Sequence, residues 1–454
     1  MRNTIRPFAA LFLCACMLTA FNKTKKTAVA DSVLFKNVTL IDGTGRTPIA
    51  NTDLLVRDGI IAAVGRNLQA TGAQVVDLSG KTVMPSLISA HVHIGTLKGT
   101  TTKAANYTRD NVLSQLKKYE SYGVTTIQVM GTDRPLLFEG GLRDSSQKGL
   151  LPGARIYSAG YGYGTPEGGP PIEMGMDHVY RPASASQVPA QMDSLARLKP
   201  SIVKMWIDNF NGRLKKMDPA IHQTIIREAH KRGLRVAAHV YYLADARRLA
   251  ADGIDLFAHS IRDSIIDDAL VQQMKAKKIA YIPTLTLDEY AYIYANKPDW
   301  IDDAFFKASL EPGVYELITS EKYQNDIKNS PLYATNGKAL QNALLNVKKL
   351  YAAGILVALG TDSGASPVRT QGFSEHLELE LLVQAGLTPL EAITAATRSA
   401  AQVLKIDKTY GTLEKGKVAD MIVLDSNPVD NIKNTRSIQA VYKAGKEVSR
   451  GPVN

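Results

Sequence analysis

The sequence predicts an α/β fold: a TIM-like (β/α)8 barrel plus a small β-sandwich domain formed by both chain ends. Three observations lead there. Residues 86–407 alternate apolar strand-like runs with amphipathic helical runs, the pattern of a parallel sheet covered by helices. The strand-like runs number eight, which is the count that closes a barrel. Residues 31–85 and 408–454 share another texture, short strands punctuated by glycine turns.

Taken in order, residues 1–30 are expected to be a signal peptide. Arg2 and Arg6 precede the uncharged run 7–21, too short for a span of about 20 residues. Two exits are visible. Ala28-Val29-Ala30 is an A-x-A-like cleavage site, and Leu13-Cys14-Ala15-Cys16 resembles a bacterial lipobox with Cys16 as the lipidated residue. Both lead out of the cytoplasm, to the periplasm or to an outer-membrane lipoprotein, where a lipid on Cys16 is the one expected membrane attachment.

The expected barrel strands are 83–93, 123–130, 154–160, 201–207, 234–240, 254–260, 279–285 and 355–364. Helices separate the later ones. Asp218 caps a helix with Pro219 at its first position, and Gly233 ends it. Thr388-Pro389-Leu390-Glu391 is a capping box that opens a helix to about residue 404. Residues 287–337, rich in Tyr and Asp, lack a strand signal. They are expected to form a helical insertion after the seventh strand, overhanging the barrel mouth.

Composition removes several function classes. The 2 Cys both lie in the leader, so thiol catalysis and Cys-built metal sites are excluded from the body of the chain. The net charge is +11, of which Arg2, Arg6, Lys23, Lys25 and Lys26 supply a large part. No basic run with interleaved aromatics remains, so no nucleic-acid partner is expected. There is no G-x-S-x-G elbow where a triad would need it, no Walker loop, and no dinucleotide fingerprint after a suitable strand.

The informative residues sit at strand ends. His91 and His93 end the first strand two residues apart, so both side chains point to one face. His239 ends the fifth strand, His259 the sixth and Asp362 the eighth, while Lys204 lies in the fourth. In a barrel these C-terminal ends converge on one cavity, and four imidazoles with a carboxylate suit Zn2+ or a similar divalent ion. A lone strand histidine is ordinarily structural; here the placement repeats around the barrel. For Lys204 the bland alternative is a buried stem whose head finds a carboxylate. His222 and His230 are expected at the surface of the helix after Asp218. His376 is expected on a helix, near enough to the eighth strand to line the cavity. His178, in a Gly/Pro-rich loop, Tyr241 and Arg262 are candidate substrate contacts, with a solvated loop for His178 and an ion pair for Arg262 as the plainer readings.

The stretches GKTVMPSLISAHVH, YGVTTI, IVKMW, VAAHVY, FAHS, GTDSG, LTPLEAITAATRSAAQVL and GTLEKGKVADMIVLDSNP resemble the amidohydrolase superfamily, in particular its imidazolonepropionase- and prolidase-like branch. The resemblance implies a binuclear centre holding two divalent ions, Zn in the first instance. His91, His93 and Asp362 would bind one, and His239 and His259 the other. Lys204 would be carboxylated and bridge them. Two departures stand out: Ser89 occupies the place of a usual Asp, and Ala258 precedes the sixth-strand histidine where this branch often carries Glu. The expected function is an exported metal-dependent amidohydrolase that cleaves the C–N bond of a small molecule or a dipeptide such as Xaa-Pro. Metal-activated hydroxide would attack, with Asp362 as proton shuttle. Two alternatives stay open: a mononuclear cyclic-amide hydrolase or deaminase, and an inactive barrel acting as a binding protein. A homo-oligomer would fit the family.

Overall fold

The computed structural model describes residue 1 and residues 32–453. The expected signal peptide, with Cys16 and Ala30, lies outside the described residues.

Seven barrel strands are regular: Leu87–Val92, Val124–Val129, Arg155–Ser158, Val203–Trp206, Val236–His239, Leu256–Ala258 and Ala280–Ile282. They pair in parallel as a three-stranded and a four-stranded sheet. Two seams join these sheets. Ser201 N donates to Ser158 O (2.9 Å) and Tyr163 N to Lys204 O (2.8 Å), linking the third strand and its following loop to the fourth. Residues 355–363 close the other gap: Val357 bridges Tyr281, and Ser363 bridges Val92.

This eighth position, expected to be a strand, lacks a regular ladder. The Leu359 N–H bonds out of the barrel to the carbonyl of Ala395 at 3.1 Å. Ala395–Ser399 is a π-helical turn between Pro389–Thr394 and Ala400–Leu404, within the expected helix that Thr388 caps. The wider turn re-aims the backbone carbonyls of that helix. Gly360 lets the segment lie against the first strand, because a Cβ there would come within 2.8 Å of His91 Cβ and 2.5 Å of Ile282.

The strands are apolar and buried on both faces, as a helix-covered parallel sheet requires. Asp218 caps the helix Pro219–Lys231, accepting from Ala220 N at 2.7 Å. On this helix His230 is exposed as expected, but His222 is buried. It shares a face with Ile225, Ile226 and Ala229, three, four and seven positions on, and that face packs on the barrel. Residues 287–337 are helical in short pieces: part of Leu285–Tyr290, then Ala304–Lys307, Val314–Thr319 and Glu321–Lys328, and the first turn of the long helix Tyr333–Ala352.

Both chain ends contribute to one continuous eight-stranded sheet. Its order is Lys446–Ser449, Ile438–Lys443, Met421–Leu424, Thr82–Pro85, Ser32–Leu40, Ile49–Arg57 and Ile60–Gly65, with Gln74–Asp77 also paired to Ser32–Leu40. Alternation decides which core each side chain enters. Val83, Met421, Val423 and Tyr442 fill the sheet's own core with Phe35 and Leu54. Their neighbours Met84, Ile422, Leu424 and Val441 join the barrel core.

A buried ion pair fastens sheet to barrel. Arg155, on the third barrel strand, bonds both carboxylate oxygens of Asp420, which also accepts from Ala444 N at 2.8 Å. Asp420→Ala strands the Arg155 charge in the interior. The expected loss is about 3–5 kcal/mol in a urea unfolding curve, and a loss under about 1 kcal/mol would show the pair to be dispensable.

Candidate metal centre

The strand ends meet as the alternation of side chains requires. His91 Nε2 lies 3.2 Å and His93 Nε2 2.9 Å from the same oxygen, Asp362 Oδ1. Among the described residues, these three present ligand atoms within 4.8 Å of one another. The other two histidines continue the cluster. The His259 ring lies 4.5 Å from that of His91 and 4.1 Å from that of His239, centroid to centroid. Lys204 comes up beside them from the fourth strand, fully buried.

Several polar atoms here have no hydrogen-bond partner in the protein: both ring nitrogens of His91, His239 Nδ1, Asp208 Oδ1 and Lys204 Nζ. A buried unsatisfied polar group costs about 1–3 kcal/mol, so a cluster of them is a demand for a ligand. Imidazole nitrogens and carboxylate oxygens fit a divalent transition ion. The head of Lys204 has found no carboxylate, contrary to the bland alternative. Its ammonium lies over the Trp206 ring, 5.2 Å from the centroid.

Protonation favours ligation. Burial, reinforced by Lys204, pulls His91 down to about 3 and keeps its imidazole neutral. Burial also lowers His239 and His259. Burial opposes the charge on Asp362, but the His91 and His93 rings beside it, with Arg369, win and hold it well below the usual carboxylate range. Burial brings Lys204 to about 7, so a neutral amine is accessible near neutrality.

Backbone strain is concentrated here too. His259 and Asp362 adopt left-handed conformations, with φ of 83° and 58°. Such angles are costly outside glycine and gather at functional sites.

A ring of supporting contacts aims these side chains. Thr132 Oγ1 is 2.6 Å from His93 Nδ1, and Thr284 Oγ1 is 2.9 Å from His259 Nδ1. Asp208 Oδ2 lies 3.3 Å from His239 Nε2, whose ring stacks on Phe210. Sequence reasoning misses Asp208, although it falls four residues after Lys204 and so shares its face of the strand path. Thr132 and Thr284 lie just past strand ends and carry no readable signal. Ser89, which occupies the place of a usual Asp, donates to the Glu375 carboxylate at 3.0 Å.

A cavity of about 300 Å3 opens over this floor. His93, His239, Asp208 and Asp362 line its base, and Met174, Met176, Phe210, Leu287 and Leu332 its apolar walls. Leu287, Asp288, Ala291, Leu332 and Asn336, from the helical segment 287–337, also line the cavity.

The candidate substrate contacts fare differently. Tyr241 lines the cavity, with the Arg262 guanidinium over its ring at 4.6 Å. Arg262 also lines it but is committed to internal partners: Asp288 Oδ1 at 2.7 Å, Ser260 O at 2.7 Å and Val240 O at 3.2 Å. Arg369 is a further cavity residue that sequence reasoning misses. It is a quarter exposed, lines the cavity and pairs with Asp362 Oδ2. His178 packs edge-on against Tyr161 at 4.4 Å, away from the cavity lining. His376, expected near the cavity, is instead buried behind the barrel, 2.9 Å from both Tyr122 O and Thr435 Oγ1. Its helix turns that face toward Tyr122 and the C-terminal segment.

Comparison with known proteins agrees with this geometry. The model of the amidohydrolase family matches residues 82–448. An ochratoxinase of Aspergillus niger is 29% identical over 247 residues, 53% of this chain and 43% of that protein, so the match spans less than half of that relative. The solved structure of a prolidase-like protein of Bifidobacterium longum superposes with a TM-score of 0.74 at 25% identity, over 93% of this chain and 96% of that one. A Xaa-Pro dipeptidase solved with methionine in its active site gives a TM-score of 0.70 at 21% identity, over 92% and 99% of the two chains. With its barrel, its terminal sheet and its cluster of histidines and aspartate, the chain belongs to the amidohydrolase family.

Proposed function

We propose that the chain hydrolyses the amide bond of a small carboxylate-bearing substrate, a dipeptide such as Xaa-Pro. His91, His93, His239, His259 and Asp362 would hold two divalent ions, Zn in the first instance, with carboxylated Lys204 between them. One observation carries this reading: four imidazoles, a carboxylate and an unpartnered buried lysine gather at the end of the barrel, with His93, His239 and Asp362 open to one cavity. Divalent ions bound there would supply Lewis acidity and a water acidic enough to react near neutral pH.

The chain's own residues then have distinct tasks. Asp362 can accept the proton of the attacking water and return it to the departing amine nitrogen, which leaves poorly unprotonated. Neutral imidazoles keep their lone pairs for ligation. Both cavity arginines are paired with a carboxylate, Arg262 with Asp288 and Arg369 with Asp362; Arg369, a quarter exposed where Arg262 is buried, is the cation better placed to reach a substrate carboxylate. Tyr241 lines the same cavity beneath the Arg262 guanidinium and would contact substrate there. The apolar walls accept a side chain or a proline ring, and the likeness to the dipeptidase supports a substrate of that size. Residues 1–30 support export, either by cleavage after Ala30 or by lipidation of Cys16.

A mononuclear reading is favoured by one fact: among the described residues, the group whose ligand atoms all lie within 4.8 Å is His91, His93 and Asp362, without His239 or His259. Metal analysis separates the two. The binuclear reading expects two ions per wild-type chain and fewer in Lys204→Ala; unchanged stoichiometry in that variant would remove the bridging role. Chelation should abolish hydrolysis in a dipeptide and N-acyl amino acid panel, and added Zn2+ or Mn2+ should restore it. Arg369→Met should raise KM for free dipeptides about 10–100-fold, the worth of a charge-assisted hydrogen bond, while leaving KM for their C-terminal amides unchanged. Equal effects on both substrates would place the carboxylate elsewhere.

A further inference from the structure

Glu375 is the third residue of the helix Phe373–Gln384 and is fully buried. Its two carboxylate oxygens do different work. Oε2 accepts the Gly372 N–H at 2.9 Å, an ordinary helix-capping contact. Oε1 faces the barrel and accepts three hydroxyls: Thr361 Oγ1 at 2.7 Å, Ser363 Oγ at 3.0 Å and Ser89 Oγ at 3.0 Å.

Those three donors are not scattered. Thr361 and Ser363 flank Asp362 on either side, and Ser89 precedes His91 by two residues on the first strand. Thr361 Oγ1 also accepts the Ser363 N–H at 3.1 Å, which closes a ring around Asp362. Ser363 Oγ is 2.7 Å from Tyr119 Oη, so Tyr119 can donate to Ser363 while Ser363 donates to Glu375. The backbone continues the tie, because Thr361 N and Asp362 N both donate to His91 O, at 3.0 and 2.9 Å. One carboxylate oxygen thus gathers the two neighbours of a residue at φ 58° and the strand bearing the first histidines.

We propose that Glu375 is a positioning residue of the metal centre, holding Asp362 in its left-handed conformation and fixing the first strand against the eighth segment. The proposal rests on the metal-centre reading above. Glu375 touches neither the cavity nor the ligand atoms; it acts through Thr361, Ser363 and Ser89. A neutral amide cannot replace it. The side chain introduced by Glu375→Gln has one acceptor oxygen instead of two, and its NH2 group would confront either the Gly372 N–H or the three hydroxyls.

The test uses the full chain, stripped of metal and titrated with Zn2+ alone against a chromophoric chelator. Glu375→Gln should weaken Zn2+ binding about 10–100-fold, as loss of an orienting outer contact does. Ser89→Ala removes one donor of three and should weaken it about two- to fivefold. With saturating Co2+ in place of Zn2+, the visible bands of Glu375→Gln should shift, because Asp362 no longer meets the ion at the same angle. A folded Glu375→Gln with unshifted bands and Zn2+ affinity within about twofold of wild type overturns the proposal, whatever its melting temperature, and leaves Glu375 a helix cap. If Glu375→Gln fails to fold, Ser89→Ala with unchanged affinity overturns it. A wild-type chain that binds no Zn2+ would instead sink the metal-centre reading, and this proposal with it.

Discussion

Taking lone pairs out of water and leaving them unpaired is among the most expensive things a folded chain can do. The end of this barrel does it repeatedly, on His91, His239, Lys204 and Asp208. Burial is what makes the cluster useful. The same desolvation that leaves these atoms without partners keeps the imidazoles neutral and brings the lysine to about 7. The rest of the molecule supports that concentration of cost. Apolar strands shield it, threonine hydroxyls and an aspartate aim the rings, and helices close over the mouth.

The architecture explains why residues so far apart in the chain converge. A parallel barrel delivers every strand to the same rim, so the last inward-facing position of each becomes a neighbour of the others. The terminal sheet stands apart from this rim. Its alternating faces fill one core of their own and lend the other face to the barrel, and Arg155 with Asp420 pins the two together. The sheet's contribution is mechanical, and the cluster of candidate ligands resides in the barrel.

Much of this was legible in the sequence because two periodicities carry it. Strand runs ending in histidine announced the rim, and the H-x-H spacing put His91 and His93 on one side. Chemistry-bearing side chains without such a pattern were harder to see. Asp208 lay on the right face of its strand path but beyond the apolar run that marked it. Arg369 and Glu375 follow the eighth segment, where a loop and a helix start decide direction and no period does. His222 and His376 depart from expectation for a related reason: a polar residue on a helix suggests solvent for His222, and closeness in sequence to the eighth segment suggests the cavity for His376, yet each occupies a face that another element covers. Ser89 looked like a loss when viewed alone, because its partner Glu375 lies 286 positions further along the chain.

The π-helical turn at Ala395–Ser399 carries a consequence for how such a catalyst can change over time. That widened turn gives the carbonyl of Ala395 to Leu359, three residues before Asp362. The position of the aspartate along its segment is therefore indexed by the winding of a helix on the outside of the barrel. Removing a single residue from that winding would take the Ala395 carbonyl away from Leu359 without touching any of the histidines. Drift in the outer helix is thereby constrained by the geometry of the interior, and a remote stretch of sequence inherits the strictness of the reactive one.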